Sequence, residues 1–266
     1  MSSGRTVNND FYRTWERKWI TRVNPENLDR VRHFVELVPD TMQTALEIGA
    51  RSGLMTELLA PRFHRLTAFD LTLPQLDIPG VVPVAGDATR LEFDDNTFDV
   101  VICAEVLEHI PPELMPKACD ELKRVARHQV VIGVPNRQDL RVERLNCNAC
   151  GRTSPPYGHL NQFDKDSLTR LFAPLVPQTM TSLGPHAEQT NPLSTALMNW
   201  AGNPMGTYSQ HEPCPWCDTL FSEPPPPSVA IRAVVKAAHL LNRLQNRVSP
   251  TVPAWLHAVF IKIARG

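Results

Sequence analysis

The sequence predicts an α/β fold: a doubly wound, mostly parallel sheet with helices on both faces. Apolar strand-like runs alternate with helical ones from Thr44 to Val134, the texture of successive βαβ units. The runs Asp99–Cys103 and Gln129–Val134 are apolar on both faces, as strands covered by helices on either side must be. At 266 residues, with 42% hydrophobic and 21% charged, the chain is long enough to bury a substantial core without disulfides.

The elements follow in order. Residues 10–38 read as helical, with Asp10 as a cap and Phe11, Trp15 and Trp19 at helical spacing. Asn24-Pro25 starts a second helix, Asn at the N-cap and Pro at the first helical position, carried by Leu28, Val31, Phe34, Val35 and Val38. Strands are expected over 45–48, 66–69, 81–84, 98–104 and 129–134, with helices over 54–60 and 113–126. Beyond Pro135, 164–172 reads as a helix and 178–183 as a strand. Residues 184–227 read as Pro-rich and aperiodic, ending in four consecutive prolines, a stiff linker. Residues 229–248 form a helix, and 255–264 alternate as a closing strand. The implied division is an N-terminal helical lid (1–40), a core (41–183 with 250–266), and two insertions (137–162 and 184–249).

Lys+Arg 27 against Asp+Glu 28 leaves a net charge of -1. Binders of polyanions are usually strongly basic, so nucleic acid is disfavoured as a partner. The opening MSSGRTVNNDF lacks an apolar signal-peptide region, and no run approaches the roughly 18 apolar residues of a membrane span. The expectation is a cytoplasmic protein in a reducing compartment.

The segment Glu47-Ile-Gly49-Ala-Arg51-Ser-Gly53 runs from a strand into a helix. Glycines at such a turn let the backbone approach a ligand, as in Rossmann-like folds. The second strand ends in Asp70, where such folds bind ribose hydroxyls, and the third in Gly86-Asp87-Ala88. Acids at three successive strand ends are far more specific than one Gly-rich turn. An NAD-binding domain, or a nucleotide-binding scaffold without turnover, are the competing readings.

These pieces, with Phe98-Asp-Val-Val-Ile-Cys-Ala-Glu105-Val-Leu-Glu-His109-Ile, Glu121-Leu-Lys-Arg124-Val and Val134-Pro135-Asn136, resemble a class I S-adenosylmethionine-dependent methyltransferase of the small-molecule type. The resemblance covers roughly 40–136, and more loosely 159–183 and the last strand. It implies that Glu47 and Gly49 lie under the methionine part, that Asp70 takes the ribose, and that Asp87 reaches the adenine amine. Gly53, Ala88 and Glu105 complete the cofactor set. Arg51 stands where the family has its middle glycine; it either crowds the turn or pairs with the cofactor's carboxylate.

Cys147-x-x-Cys150 and Cys214-x-x-Cys217 have the spacing of metal knuckles and together offer the four thiolates of a closed, structural zinc site. Redox-active or free thiols are the alternative. Cys103 and Cys119 read as buried small hydrophobes.

Methyl transfer to a hydroxyl needs a positioned acceptor and a route for its proton. His159 is the first candidate base and Glu105 the second. His109, third, reads better as a packing histidine. Glu105 divides between a ligand contact and a solvated helix-start acid. Tyr12, Trp15 and Trp19 form either an aromatic lid or a packed helix. Residues 229–248 carry Arg232, Lys236, Arg243 and Arg247 without an acid; such a helix either meets a membrane or anionic partner, or packs its apolar side on the core with a solvated basic face. The expected activity is methyl transfer to a small molecule or glycan, at oxygen. RNA or protein methylation is the second reading, and a non-catalytic scaffold the third.

Overall fold

The computed structural model of the chain describes residues 25–210, 212–250 and 252–263. The expectations for Asp10, Phe11, Tyr12, Trp15, Trp19 and the Asn24 cap fall outside these residues. Two compact units emerge: Met1–Pro135 with Phe163–Pro185 and Trp255–Gly266, and Asn136–Gln162 with His186–Ala254.

In the first unit, helix α1 (Pro25–Leu37) begins at the proline that pre-sets its first turn. Strands β1 (Thr44–Ile48), β2 (Arg65–Asp70), β3 (Val81–Ala85), β4 (Phe98–Ala104), β5 (Ala126–Pro135), β8 (Val176–His186) and β9 (Pro253–Ile261) form one seven-stranded sheet, ordered β3-β2-β1-β4-β5-β9-β8. Parallel pairing joins β3 through β5, while β9 runs antiparallel to β5. Connections between parallel strands include helices α2 (Leu54–Leu59) and α3 (Met115–Val125); α4 (Lys165–Phe172) precedes β8.

Side-chain alternation builds two cores from this sheet. One face sets Leu46, Val101, Cys103, Ile132 and Phe260 against Cys119 and Leu122 of α3 and Leu168 and Phe172 of α4. The other sets Ala45, Val100, Ile102, Val131 and Val259 against Phe34 of α1 and Leu59 of α2. The sheet is thus Rossmann-like and covered on both sides, and Cys103 of β4 and Cys119 of α3 are buried in the first of these cores.

His257 on β9 is 2% exposed, meets Phe34 edge-on at 5.0 Å, and has its Nδ1 3.0 Å from His33 Nδ1. Burial, with the nearby His33 and Arg30, pushes its pKa down to about 3. The unfolded chain therefore binds a proton near pH 6.5 that the folded chain refuses until about pH 3. Stability present above pH 6.5 is lost as pH falls toward 3. Between pH 6.5 and 5 the loss is about 2 kcal/mol from this group. Urea unfolding across that range should show a steeper fall for the native chain than for His257→Gln; equal slopes would contradict this.

In the second unit, β6 (Leu145–Asn146) and β7 (Thr153–Ser154) pair as a small antiparallel hairpin. Helix α5 (Pro192–Trp200) lies inside the stretch expected to be aperiodic. Its Asn191 cap and Ser194 exchange side-chain to backbone bonds, with Pro192 at the first helical position. Those start signals outweigh its sparse apolar periodicity. Helix α6 (Val229–Val248) has the expected bounds.

Polar stitching holds this unit together. The buried Asp139 carboxylate accepts from Thr190 N and Oγ1 at 2.7 Å each and from Arg141 Nε at 2.8 Å. Asn246 and Gln189 exchange two bonds at 3.1 and 3.2 Å, and Gln245 Nε2 donates to Thr190 O at 3.1 Å. The two large apolar clusters among the described residues both lie in the first unit. No described helix is long and apolar enough to cross a membrane.

Candidate functional site

The carboxyl ends of β1 to β4 carry the expected cofactor residues in the first unit. Glu47 is buried, and its Oε2 accepts from Thr56 Oγ1 at 2.6 Å. This ties the end of β1 to α2. Gly49 and Gly53 take left-handed φ of 84° and 82°, conformations natural to glycine. A Cβ at Gly49 would meet Val106 Cγ2 at 2.3 Å, and one at Gly53 would meet Leu76 Cδ2 at 2.2 Å. The backbone there has no room for a side chain.

Arg51 also adopts a positive φ, 41°, with an exposed side chain. Its backbone N–H donates to Asp70 Oδ2 at 2.8 Å. The Arg51 side chain is exposed, and its amide closes the loop onto the β2 acid. Gly86 N donates to Asp70 O at 2.8 Å, which draws the β2 and β3 ends together. Asp87 Oδ1 accepts from Thr89 N at 2.8 Å. Hydrogen bonds from Thr89 lower its pKa and keep it ionised. Ala88 is half-buried beside it. Two carboxylates thus stand beside a glycine turn, an acceptor set that fits the hydroxyl and amine donors of a nucleoside.

Glu105 follows β4 at a left-handed φ of 55°. It is not the solvated acid that was one reading: Arg30 Nη1 of α1 pairs with its Oε2 at 3.0 Å. Burial raises its pKa, against the opposing Arg30 charge. The Arg30 guanidinium also lies 4.8 Å over the Trp255 ring. Glu108, fully buried, is pushed well upward by burial and then by Glu105. His109 closes a 3-10 turn, Leu107–His109, and is half-buried. Arg30 and Glu108 escaped sequence reasoning. Arg30 is remote along the chain, and Glu108 sat unremarked within the motif that carried Glu105 and His109.

His159 belongs to the second unit, where its Nδ1 lies 2.6 Å from Gln138 Oε1. The four cysteines meet in that unit. Cys147 and Cys217 sulfurs are 3.6 Å apart, Cys150 and Cys214 3.7 Å, and all four lie within 4.8 Å of one another. Tetrahedral zinc–thiolate bonds of about 2.3 Å place sulfurs about 3.8 Å apart, so the donor set fits zinc.

The two knuckles repeat one backbone design. Cys147 N donates to Arg152 O and Gly151 N to Cys147 O; Cys214 N donates to Thr219 O and Asp218 N to Cys214 O. Gly151 and Asp218 hold the same left-handed place, at φ 70° and 58°. Gly151 was legible as a turn residue. Asp218 was not, although Asp tolerates this conformation better than most side chains. Burial pushes Cys214 up to about 12, while Thr219 hydrogen bonds bring Cys217 down to about 6. Metal binding would therefore release the Cys214 proton.

Residues 46–132 match the family model described as a methyltransferase domain. A ubiquinone biosynthesis O-methyltransferase of Albidiferax ferrireducens is 26% identical over 113 residues, covering 38% of this chain and 44% of the relative. An uncharacterized methyltransferase of Mycobacterium tuberculosis is 30% identical over 112 residues, covering 40% and 45%. These matches span about half the length of either curated relative. Among solved structures, the YcgJ protein from Bacillus subtilis is similar at TM-score 0.52 and 12% identity, covering 88% of this chain and 100% of that one. A chain from the complex between the Haloferax volcanii Trm112 methyltransferase activator and its candidate methyltransferase is similar at TM-score 0.50 and 14% identity, covering 97% and 99%. At these identities the structures show a shared fold.

Proposed function

We propose that this chain, which carries a class I S-adenosylmethionine-dependent methyltransferase domain, transfers a methyl group to an oxygen of a small molecule or glycan. The observation that carries the reading is the set of acids and glycines at the β1, β2 and β3 ends: Glu47, Gly49, Gly53, Asp70 and Asp87. S-adenosylmethionine, when bound, supplies a methyl group activated on a sulfonium. Asp70 is assigned to the ribose hydroxyls, Asp87 to the adenine amine, and the exposed Arg51 side chain to the cofactor's carboxylate. Gly49, Gly53 and Ala88 are assigned to the cofactor as well, the two glycines through the left-handed turn they form. Glu105, held by Arg30, borders the methionine end. Oxygen as the acceptor atom is favoured by the O-methyltransferase relatives.

Incubation with methyl-labelled S-adenosylmethionine and a panel of phenols, carboxylic acids and sugars tests this. Label in a small-molecule product supports it; label found only in RNA or protein contradicts it and favours the second reading.

The proton of a hydroxyl acceptor needs a base in reach as the methyl arrives. His159 is assigned this role ahead of Glu105, with His109 third. His159→Ala should lower turnover by about 10²-fold or more and leave cofactor affinity and zinc content unchanged. Full turnover, or loss of zinc, would make His159 structural.

The four cysteines are assigned one structural zinc. Four thiolates leave no open position for chemistry at the metal.

A further inference from the structure

Helix α6 hides a mixed face. Val235, Ala238 and Asn242 are buried, and Asn242 donates to Glu188 Oε1 at 3.3 Å, beside the Gln245 and Asn246 bonds already described. Its outer side carries large apolar residues. Leu240 is 56% exposed, Leu244 49%, Val248 85% and Val229 74%. Of the apolar side that packing on a core would bury, Ala238 is buried while Leu244 and Val248 are not. Helical geometry sets these residues in a stripe beside a second one formed by Arg232, Lys236, Arg243 and Arg247, all exposed. The helix contains no acid. A cavity of about 540 Å³ opens beside its last turns, lined by His186, His239, Arg243, Arg247 and one carboxylate, Glu188. Glu188 is the acid already engaged by Asn242. Among the described residues no acid pairs with Arg243 or Arg247.

We propose that this outer face docks on an anionic lipid surface, with Leu240, Leu244 and Val248 entering the interface and a lipid phosphate seated between Arg243 and Arg247 in the cavity. A solvated basic face alone would serve any polyanion. Adjoining exposed apolar and basic stripes on one helix match instead the layered chemistry of a bilayer surface, acyl chains beneath phosphates. The cavity has room for a phosphorylated headgroup, and its side chains complement the charge. This inference lies in the second unit and is independent of the acceptor assigned above.

The test is co-sedimentation of the full chain with vesicles of phosphatidylglycerol or phosphatidylcholine, at low and high salt. Partitioning onto phosphatidylglycerol, weakened by salt, is expected. Each basic side chain near such a surface is worth about fivefold, so R243Q/R247Q should bind about 25-fold more weakly. L244Q/V248Q should lose about tenfold or more. Arg32→Gln on α1, whose side chain is 72% exposed, should change nothing. All these sites are exposed, and unchanged melting would confirm folding of the variants. Equal binding to phosphatidylcholine, unaffected α6 variants, or capture of inorganic phosphate without any vesicle partitioning would each overturn the proposal.

Discussion

Asp70→Ala is expected to weaken S-adenosylmethionine binding by about 100-fold. The carboxylate has two tasks at once. Oδ2 accepts the Arg51 amide at 2.8 Å and so fixes a residue in left-handed conformation. The remaining acceptor capacity is assigned to the ribose. Hydrogen bonds to a charged group contribute about 1.5–3 kcal/mol each, and two of them at the lower end of that range amount to about two orders of magnitude in affinity. Asp87→Ala should cost less, about tenfold, because its Oδ1 is already committed to Thr89 and a single bond to the adenine amine is at stake. Calorimetric titration reads both. An Asp70→Ala protein that bound S-adenosylmethionine at native strength would remove Asp70 from the site.

Cys214→Ser should abolish stoichiometric zinc and disorder the second unit. Structural zinc held by such sites contributes about 10–16 kcal/mol, comparable to the whole stability of a domain. The unit contributes no residue to either large apolar cluster, and much of its packing is the Asp139 and Asn242 hydrogen-bond networks. Freshly purified native protein should hold one zinc. In Cys214→Ser, hydrogen exchange should accelerate first over 136–162 and 186–254. The β-sheet, with its own two cores, should stay protected. A disulfide among the four cysteines in reducing buffer, or native protein without metal, would contradict this.

The sheet was legible because parallel strands announce themselves. Asp99–Cys103 and Gln129–Val134 cannot be amphipathic when both faces are covered, and their unbroken apolar texture says so. The residues proposed to hold the cofactor were legible because they sit at fixed places, each at or just past the end of a strand. Three features resisted. Helix α5 carried a clear Asn191-Pro192 start, but its short length and exposed Leu193 and Trp200 left almost no periodic signal. The Arg30–Glu105 pair joins α1 to β4, and nothing in either segment alone names the other. Helix α6 was visible as a helix, and Ala238 of its apolar side is buried, but Leu244 and Val248 are exposed. Periodicity shows that a helix has two sides; it does not say that Asn242, Gln245 and Asn246 will find buried partners while Leu244 and Val248 go without.

The central claim is that the β1–β3 ends form an S-adenosylmethionine site. Calorimetric titration of the native chain with S-adenosylmethionine, its demethylated product and NADH tests it most directly. Saturable one-to-one binding of the first two, and none of NADH, is the expected result. Binding of NADH with no response to S-adenosylmethionine would contradict it.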